Sequence, residues 1–178
     1  MSKNAGSQGA QYGTAAWLDK ATELKQVVMD RLAAMPAAEC LAVPSPGAWS
    51  AAGVVEHLIL LEETVPGLWR ERLQAAGTPN VNGKSELLSR IVSFAITKTG
   101  LRVPTAPELE PKGGLGLVAL ERRWSDARAE LVAALPDSPN APWVLHPAFG
   151  PLSSAQMGRL LASHIEHHLK HWPACTRP

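Results

Sequence analysis

Four of the six histidines in this chain, His164, His167, His168 and His171, fall within about two turns of a single helix. Residues four apart on a helix project from successive turns of one face. His164 with His168 can therefore offer two ring nitrogens to one metal ion. His167 with His171 has the same relation, and spacing alone does not choose between the pairs. A third ligand has to come from another element. His57 lies three residues after Val54 and four before Leu61, beside an apolar stripe, so it can face the interior from a second helix. His146 stands between Pro142 and Pro147, in what reads as a loop, and suits a supporting role better than ligation.

The alternative for each ring is an ordinary core histidine with hydrogen-bond partners, since an unpaired buried donor or acceptor costs about 1–3 kcal/mol. The density of four histidines within two turns sets a metal site on equal footing with that reading, and spacing does not decide between them. Three neutral imidazoles leave at least one coordination position open. An ion held in this way could lower the pKa of bound water to about 7, or hold a thiol as thiolate. Imidazole nitrogen suits Zn, Ni and Fe alike, so the identity of the ion is not set by the sequence.

The elements that must carry these rings are helical. Trp17, Ala21, Leu24, Val28, Leu32 and Met35 recur at three- and four-residue steps, which predicts a first helix from near Thr14 to Pro36. After the connector Val43 to Gly47, Ser50 caps a second helix striped by Val54, Leu58, Leu61, Val65 and Leu68 with Trp69 beside them. Pro66 interrupts that stripe, so a kink or a locally freed backbone is expected there. Residues 77 to 114 form a long crossover rich in Gly and Pro, with one short amphipathic helix at Leu87, Leu88, Ile91, Val92 and Ala95. A third helix carries Leu117, Leu120, Trp124, Ala127, Leu131 and Leu135 and stops before Pro136. The fourth opens with the capping box Ser153 and Gln156, buries Met157, Leu160, Leu161, His164, His168 and Trp172 on one face, and is expected to end at Pro173. No segment alternates with a period of two. The fold class is all-α, a four-helix bundle spanning residues 14 to 178, behind a loose arm at residues 1 to 13.

Lys plus Arg number 17 against 16 Asp plus Glu, which gives no field to gather nucleic acid or an anionic membrane, so neither is an expected partner. The start of the chain lacks a secretory pattern, and no apolar run is long enough to span a bilayer, which points to the cytoplasm. Cys40 and Cys175 are far apart and are read as reduced thiols.

Three ordered segments resemble the DinB-like superfamily of metal-binding four-helix bundles. These are Trp49-Ser50 followed by Glu56-His57-Leu58, then His146 to Leu152 leading into Ser153, then His164-Ile-Glu-His-His168-Leu-Lys-His171. The Pro-rich stretch Thr105 to Pro111 is similar to the crossover of those proteins. The resemblance implies an up-down-down-up order of helices and a divalent ion on His57, His164 and His168. It leaves His167 and His171 outside the ligand set, although His171, which stands where many relatives have Gln, could serve as a spare ligand or as a supporting group, the part that Glu56 and His146 could also play. It further implies a transferase that joins a low-molecular-weight thiol such as mycothiol or bacillithiol to a small-molecule substrate, and it allows a homodimer, for which Trp and Leu on outer helix faces are available although no residue pattern demands one. A metal-dependent hydrolase aided by Glu56 or Glu166 and a non-catalytic metal-binding stress-response protein are the alternative functions. Both glutamates otherwise read as solvated helix-face residues.

Overall fold

Residues 13–77, 105–136, 141–146 and 150–176 are described by a computed structural model of the chain. The expected arm at the start of the chain, but for its last residue, and the short helix at residues 87 to 95 lie outside the described residues. Four principal helical segments carry the core. The first, α1 (Thr14–Ala33), buries Ala21, Val28, Met29 and Leu32, and the five-residue helix α2 (Ala37–Leu41) follows Pro36. The second principal segment begins as α3 (Ala51–Thr64), where Ser50 Oγ accepts the Gly53 N–H at 3.0 Å and satisfies one free donor of the first turn.

Pro66 has no N–H for the helical ladder. The chain accordingly widens into a π-helical turn, Val65–Trp69, before resuming as α4 (Arg70–Ala75). The local release of backbone expected at this proline is thus observed, and the turn leaves Trp69 buried. The third principal helix is α5 (Leu117–Ala133), with Leu120, Trp124, Ala127 and Leu131 inward and Leu135 packed on the core just past its end.

The fourth, α6 (Ser154–Thr176), opens on the expected reciprocal cap. Ser153 N–H donates to Gln156 Oε1 at 2.8 Å, and Gln156 N–H to Ser153 Oγ at 3.3 Å. It does not stop at Pro173, as the sequence had suggested. A proline inside a helix leaves the carbonyl four residues earlier without its donor, and here that carbonyl is Leu169 O. The Arg31 guanidinium donates to it at 2.8 Å, so a side chain from α1 takes over the missing bond.

Long-range hydrogen bonds set the helix directions. Thr14 Oγ1 lies 3.0 Å from Ser154 Oγ at the start of α6, while Arg31 near the end of α1 reaches Leu169, so α1 and α6 run the same way. Along α3, Glu56 is bonded by Gly113 and Arg123, and Glu62, a turn and a half later, by Trp124 and Arg128, so α3 and α5 are also parallel. Lys25 donates to Ser125 and Arg128 to Thr22, which sets α1 against α5. Gly158 allows a close approach between α1 and α6, since a Cβ there would sit 3.0 Å from Trp17 Cβ.

The all-helical expectation needs one amendment. Strands β1 (Pro142–His146) and β2 (Gly150–Ser153) pair antiparallel as a small hairpin. Strands of five and four residues are too short for alternation to stand out in the sequence, and Trp143 and Val144 enter the core side by side rather than alternately. His146 therefore closes a strand, not a loop. Of the tryptophans, Trp69, Trp124, Trp143 and Trp172 are buried and Trp17 and Trp49 are partly so. Among the described residues no helix is long and apolar enough to cross a membrane.

Candidate metal centre

Helices α3 and α6 pack against each other, and His57 of the first meets His164 and His168 of the second. His57 Nε2 lies 3.0 Å from His164 Nε2, which lies 3.2 Å from His168 Nε2. Among the described residues this is the group of three whose potential ligand atoms all fall within 4.8 Å of one another. His57 is buried, and His164 and His168 are half-buried.

The tautomer of His57 is fixed from the far side of its ring. Nδ1 lies 2.9 Å from the carbonyl oxygen of Leu109, at the end of the 3-10 turn Pro107–Leu109. A carbonyl can only accept, so Nδ1 carries the proton. Loss of hydration on burial pulls the pKa of His57 below its ordinary value, against an opposing contribution from this bond. The ring is then neutral at pH 7, with a bare lone pair at Nε2. Burial and neighbouring imidazoles hold His164 well below the usual histidine range and bring His168 down to about 3, burial being the larger cause in both.

Three neutral rings with converging nitrogens are poorly served by hydrogen bonds alone. His57 has no proton to give on that side, so its contact with His164 needs the single His164 proton. The His164–His168 contact must then share that proton or set N–H against N–H. A cation satisfies all three lone pairs at once. Donors about 2.0–2.1 Å from a tetrahedral ion stand about 3.4 Å apart, close to the 3.0 and 3.2 Å of the two contacts here. The donor set therefore fits a divalent ion of the zinc, nickel or iron type.

Aromatic rings wall the site. Trp49 lies against His57 with ring centroids 4.6 Å apart and is 6.5 Å from His168. His146, at the end of β1, sits edge-on to Trp69 at 4.6 Å and is close enough to His164 to influence its protonation. Burial, with the nearby Arg72 charge, lowers the pKa of His146 to about 4. His167 is edge-on to His168 at 5.2 Å and 4.6 Å from His171, so these two rings pair beside the three convergent ones.

Glu166 is exposed and 3.7 Å from Lys170. Glu56 is not the solvated residue its position suggested. It is 3% exposed, with Oε2 accepting from Gly113 N–H at 2.7 Å and Oε1 from Arg123 at 3.1 Å. Sequence reasoning did not find the Leu109 carbonyl, because a backbone acceptor leaves no mark in side-chain spacing. It also missed Glu62, whose place on the buried side of α3 was a legible signal that a cation would have to meet it.

The sequence profile of the DinB superfamily matches residues 21–171, which takes in all three histidines and the elements that carry them. No curated protein and no solved structure matches the chain.

Proposed function

The chain belongs to the DinB superfamily, and from that premise we propose that it is a metal-dependent transferase joining a low-molecular-weight thiol to a small electrophilic substrate. The observation that carries this reading is the convergence of three neutral imidazoles from two helices, with Nε2 contacts of 3.0 and 3.2 Å between them. His57, His164 and His168 would hold the ion. When bound, the ion supplies a Lewis-acid centre that favours the thiolate form of a thiol near neutral pH.

The chain's own groups do the rest. Leu109 fixes the ring of His57, and Trp49 excludes water from one side of the cluster. Trp69 and the neutral ring of His146 offer a second wall, apolar with one polar edge. In the transfer, sulfur forms a bond to the electrophilic carbon, the leaving group departs with its bonding pair, and the thiol proton passes to solvent. The hydrolase alternative loses one of its suggested helpers, since both Glu56 oxygens are already engaged by Gly113 and Arg123.

Protein prepared without a nickel column should carry a divalent ion by elemental analysis, and His57→Ala and His164→Ala should lose it. The loaded protein should consume mycothiol, bacillithiol or another cellular thiol in the presence of an alkylating electrophile. Retention of the ion by both variants would refute the ligand set. Metal binding with no thiol consumption across the panel would refute the transferase and leave a non-catalytic metal protein.

A further inference from the structure

Glu56 and His57 are neighbours on α3, and both grip the same short stretch of crossover. His57 Nδ1–H donates to Leu109 O at 2.9 Å, while Glu56 Oε2 accepts from Gly113 N–H at 2.7 Å. Gly113 and Gly114 have φ of +76° and +83°, the left-handed region that glycine enters without strain, and the chain turns away there towards α5. The other Glu56 oxygen takes Arg123 Nη1 at 3.1 Å, and the rest of that guanidinium grips Glu63 at 2.8 and 2.7 Å. The carboxylate is thus buried, held from α5, and aimed at a backbone N–H four residues beyond the carbonyl that sets the tautomer of the neighbouring ring.

We propose that Glu56 is a positioning residue for the metal centre. By pinning Gly113 it holds the Leu109 carbonyl where it keeps the proton of His57 on Nδ1 and leaves Nε2 bare towards His164. This rests on the metal reading above for its consequence, though not for its geometry. The competing account gives Glu56 only a structural part, as the partner of Arg123 that fastens α3 to α5. The two accounts differ on reach. A shorter acid keeps the charge near Arg123 and loses Gly113, whereas a neutral amide of equal length keeps an acceptor for Gly113.

The experiment compares Glu56→Asp, Glu56→Gln, Glu56→Ala and the control Glu63→Ala. Long-range nitrogen–proton NMR of the His57 ring in metal-free protein reads the tautomer, and chelator competition reads zinc affinity. Wild type should show the Nδ1–H form alone. Glu56→Asp and Glu56→Ala should show a tautomer mixture and bind zinc about tenfold more weakly, the lower end of the range for losing a group that orients a ligand. Glu56→Gln should stay near wild type in both. Glu63→Ala should leave both unchanged while lowering thermal stability slightly. A single Nδ1–H tautomer in Glu56→Asp, or a Glu63→Ala variant as impaired as Glu56→Asp, would overturn the proposal. Absence of zinc binding by wild type would overturn the metal reading instead, and the tautomer measurement would still decide the part played by Glu56. Glu56→Asp retains the charge facing Arg123, so the test stands even if Glu56→Ala does not fold.

Discussion

Removing the carboxylate of Glu62 should be the most damaging single change away from the histidines. Glu62 is 1% exposed and accepts three hydrogen bonds: from Trp124 Nε1 at 2.8 Å, and from Arg128 Nε at 2.6 Å and Nη2 at 2.5 Å. Arg128 is itself buried, with its remaining arm on Thr22 at 2.7 Å, so one carboxylate ties α3 to α5 and, through the guanidinium, to α1. In Glu62→Ala the guanidinium keeps its charge and loses its counter-ion, and the indole N–H loses its acceptor. Breaking a buried pair from one side costs about 3–5 kcal/mol. Set against a total stability of about 5–15 kcal/mol for a domain, this is a large fraction. For a chain of 178 residues, where 1 kcal/mol shifts the midpoint by roughly 2–4 °C, melting should fall by on the order of 10 °C.

The assay is urea unfolding, read as a shift of midpoint at constant slope. The companion variant Glu62→Leu with Arg128→Met removes both charges together and should recover most of the loss, because a buried pair as a whole contributes little over apolar residues of similar volume. A loss below about 1 kcal/mol in Glu62→Ala, the range of solvent-exposed pairs, would refute the reasoning. It would mean that water reaches Arg128.

Two further outcomes follow from the same structure. His168 and His146 have folded-state pKa values of about 3 and about 4, below the ordinary 6.5 they regain on unfolding. The unfolded chain therefore binds more protons than the native one below pH 6.5, so stability of the metal-free protein should be complete above that pH and fall between 6.5 and about 3. Urea midpoints that stay flat from pH 7 to 4.5 would show that these rings are hydrated. Arg31→Met should free the Leu169 carbonyl, cost about 1 kcal/mol, and speed amide exchange in the last turns of α6 without moving the histidine contacts. Unchanged exchange there would mean that the helix past Pro173 does not depend on the guanidinium.

Local patterns were legible where the physics is local. The three-and-four spacing of Leu, Val and Trp located the principal helices because burial of one stripe repeats with the helical turn. Ser50, Ser153 with Gln156, and Pro66 declared themselves for the same reason: caps and broken ladders involve only the next few residues. The nearness of His164 to His168 was likewise a property of one helix.

Other features depended on atoms remote in sequence. Pro173 looked like a stop until a guanidinium 142 positions earlier in the chain supplied the missing donor. Glu56 looked solvated until Gly113 and Arg123 closed over it, and His146 looked like a loop residue until the hairpin formed beneath it. The sequence determined by itself which faces are apolar and which side chains could ligate, since those follow from residue type and helical period. Only the tertiary structure decided that His57 meets His164 and which of its nitrogens is bare. Those depend on the packing of α3 against α6 and on a backbone carbonyl of the crossover, neither of which leaves a periodic trace in the chain.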